Sequence, residues 1–243
     1  MRLGLGLSIC DARSSTAAFD PSSLTLSGWW RADYAGAPWV SEASEGTSEG
    51  AELGEGADPG TGTAVNGYDP ASFNGTDEYL IGDATLNNYF TASAYTVVLL
   101  CKPSGPAAAA GAVYQNEQLM AEDQGNLGVA YYSNTGDYVA AWHYDGAYKS
   151  TSPVAITSGS WSMVAVTFNG TTLSVSVNGG TAGTVAAGNV SGLTLLTARV
   201  GRSYQSVYTT EDVLEVMMAP SALSAGDLAS IKGYFNDRYG LSL

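Results

Sequence analysis

The stretch from Tyr131 to Tyr148 carries the residue types that proteins use to bind sugars. Aromatic rings can stack on the apolar faces of pyranose rings, while amide and carboxylate groups hydrogen-bond to the sugar hydroxyls. The aromatic residues are Tyr131, Tyr132, Tyr138, Trp142, Tyr144 and Tyr148, and the polar residues between them are Asn134, Asp137 and Asp145. We predict a carbohydrate-binding site on a concave sheet, formed by Tyr132, Asn134, Asp137, Tyr138, Trp142 and Tyr144. The alternative is that these rings are the ordinary core and exterior residues of two strands.

Residues for nucleophilic or nucleotide chemistry are scarce. His143 is the only histidine, and it lies in a strand-like pattern between Trp142 and Tyr144. The chain has no Gly-x-Ser-x-Gly motif to hold a serine nucleophile. The GLGLS segment near the N-terminus lacks the preceding strand and following helix of a dinucleotide site. We therefore expect His143 to be a packed or surface residue, and we predict that the protein is not an enzyme.

An acidic segment lies between Pro38 and Pro70. It includes Glu42, Glu45, Glu49, Glu52, Glu55 and Asp58, and it contains no Lys or Arg. Its glycines would each cost about 1 kcal/mol in a helix, so we predict a loop. The loop is either a solvated segment that keeps the protein soluble or a site for a partner or for calcium. Calcium loops need carboxylates at fixed, close spacing, and that pattern is absent, so we predict no metal and no cofactor.

The charge and the cysteines exclude several classes of partner. The chain of 243 residues has 23 acidic and 9 basic side chains, and its net charge of −14 would repel nucleic acids and anionic membranes. No stretch approaches the about 20 apolar residues of a membrane span, so we predict no membrane insertion. Cys10 and Cys101 lack metal-site spacing. They are expected to be reduced thiols near the core, with a single bridge or a redox role as alternatives.

The stretch from Ser160 to Val185 predicts three antiparallel strands in succession. Leu173, Val175 and Val177 alternate with polar residues, which is the period of a strand with one buried face. The preceding segment, SWSMVAVTF, is apolar on both faces. Asn169-Gly170 and Asn178-Gly179 are expected to supply the positive φ angles of tight hairpin turns.

Further strands and one helix are predicted along the chain. Tyr95 to Lys102 is a nearly continuous apolar run, typical of a central strand buried on both faces. Other strands are predicted at residues 71–81, where a turn divides two of them, and at residues 125–132, 138–144, 193–201 and 211–218. Trp29 and Trp30 are expected in the core. Ser224 and Asp227 predict a capped helix that buries Leu228, Ile231 and Phe235 and ends at Gly240.

Several landmarks of the chain occur in a characteristic order. They are SGWWRADY, NGYDPASFNGTDEYL, TVVLLCK, SGSWSMVAVTFNGTTLSVSVNGG and LEVMMAPSALSAGDLASIKGYFNDRYGL. Over residues 22 to 243 this order resembles the concanavalin A-like lectin and glucanase superfamily, in particular the laminin-G-like modules of bacterial secreted proteins and phage virion proteins. The resemblance implies an all-β, two-sheet antiparallel jelly-roll sandwich with a C-terminal amphipathic helix. The acidic segment departs from the family pattern, because Pro38-Trp39-Val40-Ser41 keeps only the tryptophan of Trp-Asp-x-Ser-Gly.

Some members of that superfamily hydrolyse β-glucans with Glu-x-Asp-x-Glu on one face of a strand. The nearest match here is residues 211–215, in which Val213 occupies the middle position. In a regular strand the backbones of Glu211 and Glu215 would lie about 13 Å apart. The paired carboxyl groups of glycosidases lie about 5 to 9.5 Å apart. We therefore expect Glu215 to be a structural acid, with a degenerate glycosidase as an alternative.

Two parts and a role follow from these observations. We predict an N-terminal arm over residues 1–21 and one laminin-G-like domain over residues 22–243. In the arm, Leu3, Leu5, Leu7 and Ile9 are expected to attach to a neighbour or a sheet edge. MRLGLGLSIC has an apolar run too short and too interrupted by glycine for an export signal.

The resemblance and the arm predict a non-enzymatic phage virion component, such as a head-decoration, fibre or tail accessory protein. It would be made in the host cytoplasm, join other virion proteins through its arm, and form a homo-oligomer or part of a larger assembly. Host surface glycans are expected as further partners. The alternative is a carbohydrate-binding module of a bacterial surface or secreted protein, located outside the cell or on its surface.

Overall fold

The computed structural model describes residues 19–31, 39–40, 52–85, 89–104, 111–118, 126–133, 136–193, 196–202 and 208–243. These residues form two antiparallel β-sheets, which enclose a common core, and one C-terminal α-helix. The predicted antiparallel β-sandwich with a C-terminal helix is therefore confirmed. Within this part of the chain, no helix has the length and apolar character needed to cross a membrane.

The strands divide into an eight-stranded and a nine-stranded sheet. Among the described residues, the eight-stranded sheet consists of β1 (Gly28–Arg31), β4 (Gly60–Thr61), β5 (Ala71–Asn74), β7 (Tyr95–Pro103), β13 (Ser162–Phe168), β14 (Thr172–Val177), β15 (Gly183–Ala186) and β17 (Thr210–Ala219). The nine-stranded sheet consists of β2 (Trp39–Val40), β3 (Glu52–Ala57), β6 (Tyr79–Thr85), β8 (Gly111–Gln118), β9 (Leu127–Tyr132), β10 (Tyr138–Tyr144), β11 (Tyr148–Ser150), β12 (Val154–Ala155) and β16 (Leu196–Val200). A short 3-10 helix, Pro21–Ser23, precedes β1.

The predicted succession of three strands is formed by β13, β14 and β15. In register, Val166 of β13 lies opposite Val175 of β14. At the second turn, Asn178 and Gly179 have φ of 53° and 69°, as predicted. The first turn differs, because only Gly170 has a positive φ there. Asn169 instead accepts hydrogen bonds through Oδ1 from the backbone N–H groups of Thr171 and Thr172, at 3.1 and 3.0 Å.

Strand β7 is the centre of the eight-stranded sheet and lies between β13 and β17. Its alternate residues enter two separate cores, as the continuous apolar run predicted. Leu99 belongs to the inter-sheet core between the two sheets. Leu100 belongs to the outer core, which lies between the eight-stranded sheet and the C-terminal helix. Trp30 and Trp29 divide in the same way, and both are buried.

Helix α1 (Ala225–Tyr239) is capped as predicted. The Ser224 hydroxyl accepts a hydrogen bond from the Asp227 backbone N–H at 3.1 Å, while the Asp227 carboxylate accepts one from the Ser224 N–H at 2.9 Å. Gly240 ends the helix in the left-handed region, with φ of 64°. Ile231 and Phe235 are buried in the outer core. The helix thus covers the outer face of the eight-stranded sheet.

Several strands lie where the sequence predicts none, among them β2, β3 and β4 in the acidic segment and β8, β11 and β12 elsewhere, and the longest of these are β3 and β8. Strand β3 lies within the acidic segment, for which the sequence predicts a loop. It pairs with β6, and Leu53 of β3 lies opposite Gly82 of β6. Strand β8 was not predicted, and it pairs with β9 and β16. Both strands are formed by backbone hydrogen bonds to distant partners, which can override the weak strand preference of Gly, Ala and Glu.

Candidate functional site

Tyr132, Tyr138, Trp142 and Tyr144 of the predicted site lie on the outer face of the nine-stranded sheet, the side turned away from the inter-sheet core, whereas Tyr131 is buried in that core. Val129 and Val139 enter that core from β9 and β10. Strand alternation therefore turns the residues between them outward. In β9 and β10 the outward residues are Gly128, Ala130, Tyr132, Tyr138, Ala140, Trp142 and Tyr144. Helix α1 packs on the other sheet, so among the described residues no helix covers this face.

Tyr132 and Tyr138 form a stacked pair at one end of this face. They lie directly opposite each other on β9 and β10. Their ring centroids are 4.7 Å apart and their planes differ by 11°. Desolvation, with a smaller contribution from Tyr138, raises the pKa of Tyr132. The Tyr132 hydroxyl therefore stays protonated at neutral pH and can donate a hydrogen bond.

The indole of Trp142 lies over Gly128 of the neighbouring strand. A Cβ atom added to Gly128 would come within 2.6 Å of Cζ2 of the ring, so the close approach requires glycine. Trp142 is only half-buried. One face of the ring therefore packs on β9, and part of the half-buried indole is accessible to solvent. Sequence reasoning did not identify the role of Gly128, which depends on the register between the two strands.

Tyr144 and Tyr148 continue the surface onto β11. Their ring centroids are 5.2 Å apart, and Tyr148 is 45% exposed. We call Tyr132, Tyr138, Trp142, Tyr144 and Tyr148 the aromatic row. From Tyr138 to Tyr144 the row extends about 20 Å along β10, at the usual rise per residue of a strand. The small side chains of Ala130 and Ala140 lie opposite each other between the Tyr pair and Trp142.

The predicted polar residues of the site have different positions. Asp137 accepts a hydrogen bond at 2.7 Å from Oη of Tyr131, a residue of the inter-sheet core, so its carboxylate has a structural partner on the core side of β9 and not in the row. Asp145 accepts hydrogen bonds from the backbone N–H groups of Gly188 and Ala147, which lower its pKa and keep it ionised. Asn134 lies outside the described residues, as do the arm residues Leu3, Leu5, Leu7 and Ile9.

His143 lies on the opposite side of β10 from the aromatic row and is fully buried. Its Nδ1 is 3.2 Å from Tyr95 Oη, and its ring contacts the ring of Phe168 edge-on. Burial lowers the pKa of the imidazole, which is therefore neutral at physiological pH. His143 is therefore a packed residue, which is one of the two positions that the sequence predicts for it.

Glu211 and Glu215 of β17 lie on opposite faces of the sheet. A β-bulge between Val213 and Glu215 interrupts the pairing of β17 with β7. Glu215 enters the outer core, where it accepts hydrogen bonds from Trp29 Nε1 and Tyr239 Oη, both at 2.5 Å. Glu211 precedes the bulge, is buried opposite Phe73 of the inter-sheet core, and has no hydrogen-bond partner among the described residues.

This arrangement corrects the expectation that Glu211 and Glu215 occupy one face of a regular strand. The remaining acid of the segment, Asp212, forms an ion pair with Lys102 at 2.5 Å. The three carboxyl groups therefore have three different environments and do not converge on one cleft. The geometry supports the prediction of a structural role for Glu215, because its two hydrogen bonds join β1 and α1 to β17.

No metal centre is found within the described parts of the chain, where no group of three or more His, Cys, Asp or Glu residues could hold an ion. Cys101 is a free, buried thiol whose pKa is raised by desolvation and by the charge of Glu211. Cys10 lies outside the described residues.

A cavity on the other side of the sandwich was not anticipated from the sequence. It lies beside β1 and α1, has a volume of about 520 Å³, and is lined in part by Arg31 and Arg238. Two residue spacings in the sequence could have indicated this cavity. Trp29 and Arg31 are two residues apart on a strand, and Tyr234 and Arg238 are four apart on a helix, so each pair shares a face.

Two facing antiparallel sheets, one of them covered by a C-terminal helix, define a two-layer β-sandwich. The chain belongs to the concanavalin A-like lectin/glucanases superfamily, because the Laminin_G_3 family model matches residues 73–229. The superfamily inferred from the sequence is thereby confirmed. No match was found among curated protein sequences.

Solved structures with the same fold have low sequence identity. Trypanosoma rangeli sialidase superposes with a TM-score of 0.65 at 15% identity, covering 90% of this chain and 34% of the sialidase chain. Botulinum neurotoxin type C superposes with a TM-score of 0.64 at 10% identity, covering 86% of this chain and 51% of the toxin chain. This chain thus corresponds to about a third of the sialidase chain and about half of the toxin chain, and at these identities the similarity shows the fold alone.

Proposed function

We propose that this protein is a non-enzymatic glycan-binding domain whose ligand lies along the aromatic row. The observation that carries the proposal is the Trp142 indole, which packs on Gly128 on the same sheet face as the stacked Tyr132–Tyr138 pair. Sugar rings have apolar faces that stack on such rings, and the tyrosine hydroxyls can hydrogen-bond to sugar hydroxyls. The ring positions are set by strand register and by a glycine, so little ordering is needed on binding.

Relatives of the fold support glycans as the ligand class. Trypanosoma rangeli sialidase was solved in complex with sialic acid. Botulinum neurotoxin type C depends on interaction with two ganglioside molecules to enter cells. Both ligands contain sugars. These relatives share only the β-sandwich with this chain, so they support glycans as a general class of ligand. The hypothesis for where a glycan binds in this chain comes from the aromatic row.

The direct test is a glycan array probed with the wild-type chain and two tryptophan variants. Trp142→Ala removes the central ring of the row. Trp161→Ala is the matched control, since Trp161 is also half-buried but packs beside Lys102 on the eight-stranded sheet. We expect the wild type and Trp161→Ala to bind the same restricted set of glycans. For Trp142→Ala we expect the Kd for these glycans to rise at least about tenfold, which corresponds to a loss of about 1.4 kcal/mol of binding free energy.

Two outcomes would reject the proposal. One is an array on which the folded wild-type protein binds no glycan above background. The other is a Trp142→Ala variant that keeps wild-type binding, because the row would then not be the binding surface. Circular dichroism of each variant separates loss of binding from loss of the fold.

A narrower proposal concerns the biological setting. The resemblance to phage virion modules suggests a structural or adhesion protein of a virion, attached through its N-terminal arm. It is supported by the sequence alone, since most of the arm lies outside the described residues. Deleting residues 1–18 spares Phe19 and its packing against the outer core. We expect this truncated protein to fold and to be absent from purified particles that contain the full chain, and its normal incorporation would reject the arm.

A further inference from the structure

A cavity lies on the opposite side of the sandwich from the aromatic row, where β1, the turn containing Tyr68 and helix α1 meet. Its volume is about 520 Å³, within the range of small-molecule sites. The lining includes two of the nine Lys and Arg residues of a chain whose net charge is −14. Such a concentration of guanidinium groups in an acidic protein is the first reason to examine the cavity as a binding site.

Each arginine lies over an aromatic ring. The guanidinium carbon of Arg31 is 4.9 Å from the ring centroid of Trp29, and that of Arg238 is 4.1 Å from the ring centroid of Tyr68. Stacking of this kind holds each planar guanidinium group in place, with its N–H donors at the edge of the plane. Planar, paired donors match the geometry of a carboxylate.

The buried carboxyl group of Glu215 holds residues of the cavity wall in place through hydrogen bonds. Its carboxyl group accepts hydrogen bonds from Trp29 Nε1 and Tyr239 Oη, and Arg238 Nε in turn donates to Tyr239 Oη at 3.2 Å. On the other side, the Asn66 amide donates to the backbone carbonyl of Arg238 at 2.8 Å. The two arginine–aromatic pairs are therefore held by one network that spans β1, β17 and α1.

Two carboxylates also line the cavity. Asp20 accepts a hydrogen bond from the Ser22 N–H at 2.9 Å, which lowers its pKa and keeps it ionised, and Asp237 is exposed on α1. Among the described residues of the lining, the charges therefore balance, two against two. A polyanion does not match such a lining. A ligand with one carboxylate and several hydroxyl groups does, because the hydroxyls can donate to the aspartates.

We propose that this cavity binds a sugar acid, with the carboxylate held between Arg31 and Arg238 and the ring against the aromatic walls. The site is independent of the aromatic row, from which the whole thickness of the sandwich separates it. A glycan with a terminal acidic sugar could thus be bound here even if the row has another role, and the two hypotheses can fail separately.

The test is a calorimetric titration of the full chain with D-glucuronate and with N-acetylneuraminate, each compared with its methyl ester. The ester keeps the ring and the hydroxyl groups but removes the charge. We expect saturable binding of at least one acid and at least about tenfold weaker binding of its ester, the scale of one lost charge-assisted hydrogen bond. If neither acid saturates, or if the esters bind as tightly as the acids, the proposal is overturned.

Single-residue variants test whether the sugar acid binds in this cavity. Arg238→Gln is expected to weaken acid binding about tenfold. Lys232→Gln is the matched control, since it removes one positive charge from the same helix at a residue that donates to the Asn178 carbonyl instead of lining the cavity. Trp142→Ala should also bind the acid normally. Equal losses in Lys232→Gln and Arg238→Gln would show a general charge effect and would reject the site.

Should Arg238→Gln fail to fold, as judged by circular dichroism, Arg31→Gln replaces it with the same expectation. The comparison of acid with ester in the wild type needs no variant, so it decides the preference for a carboxylate in either case. Loss of glycan-array binding in Trp142→Ala, with normal acid binding, would leave both proposals standing at separate sites.

Discussion

Glu211 and Glu215, which are four residues apart in one strand, point to opposite faces of the eight-stranded sheet. In a regular strand they would share a face. The bulge between Val213 and Glu215 adds one residue to β17 relative to β7 and reverses the alternation. Glu211 is consequently buried on the side of the inter-sheet core, and Glu215 is held beneath α1. One backbone irregularity thus separates the acids that a hydrolase of this superfamily would need together.

Glu211 is predicted to reduce the stability of the fold. Both of its carboxylate oxygens are buried without a hydrogen-bond partner among the described residues, and burial raises its pKa well above the usual range. Replacing it with methionine, which has a similar shape, removes this desolvated polar group. We expect Glu211→Met to raise the free energy of unfolding by about 1 to 3 kcal/mol, measured by urea denaturation at pH 7.

The matched control is Glu211→Gln, which removes the ionisable group but keeps a buried polar one. It should gain less stability than Glu211→Met, because the amide still lacks partners. A methionine variant that is no more stable than the wild type would show that the carboxyl group is better solvated than its position indicates.

Glu215 is predicted to make stability depend on pH. Desolvation raises its pKa from 4.5 to about 7, against the opposing effect of the hydrogen bonds from Tyr239 and Trp29. The folded state therefore holds the proton more tightly than the unfolded state. The contribution of Glu215 to the free energy of unfolding is therefore fully present below about pH 4.5 and is lost as pH rises through about 7. The free energy of unfolding changes by an amount on the order of 3 kcal/mol for this one group.

The measurement is chemical denaturation of the wild type and of Glu215→Gln between pH 5 and pH 8. Other buried acids also titrate, so the quantity of interest is the difference between the two proteins at each pH. That difference should change in favour of the variant as pH rises. Parallel stability curves for the two proteins would mean that Glu215 keeps an ordinary pKa in the folded state.

Most of the fold could be predicted from local patterns in the sequence. The apolar run of β7 and the alternation in β14 indicate burial directly, and Ser224 with Asp227 indicates the start of α1. Each of these signals depends on residues close together in the chain. The outward position of Tyr138, Trp142 and Tyr144 follows from the same period of two, so the aromatic row was also within reach of the sequence.

The remaining features arise from pairing between distant segments. Strands β3 and β8 have weak strand preference and are defined by their partners, and the bulge in β17 appears only when its register with β7 is known. The place of the Trp142 ring depends on Gly128 of another strand. The cavity joins Arg31 to Arg238, which are brought together only when α1 docks on the sheet.

Gly201 is predicted to be essential for the packing between the two sheets. Its φ is 83°, and an added Cβ would lie 2.4 Å from Cδ1 of Phe73, a buried core residue. Both backbone strain and overpacking then oppose any side chain. We expect Gly201→Ala to lower the free energy of unfolding by about 2 to 4 kcal/mol.

The control for this prediction is Gly136→Ala. Gly136 also has a positive φ, 124°, but nothing lies within 4 Å of its added Cβ, so this variant carries the backbone strain alone. Thermal unfolding of both variants separates the two costs. Equal losses would show that the Phe73 ring moves aside without penalty and that packing at this position is loose.

Gly128→Ala is predicted to impair glycan binding without removing any aromatic ring. The new Cβ would lie 2.6 Å from Cζ2 of Trp142 and 2.9 Å from Cη2, so the indole could no longer pack against β9 in its present position. Since a stacked sugar depends on the position of the ring and not only on its presence, we expect affinity for any glycan bound by the wild type to fall about tenfold. Isothermal titration with the strongest array ligand measures this loss.

Gly60→Ala is the matched control for Gly128→Ala, because Gly60 lies in a strand of the other sheet and its added Cβ has only the Ser72 carbonyl oxygen nearby, at 3.8 Å. Normal binding by Gly60→Ala with weakened binding by Gly128→Ala would separate ring position from a general effect of alanine in a strand. If Gly128→Ala binds normally while the fluorescence of Trp142 shows that the ring has moved, the sugar does not stack on this indole. The ligand would then have to contact another part of the sheet.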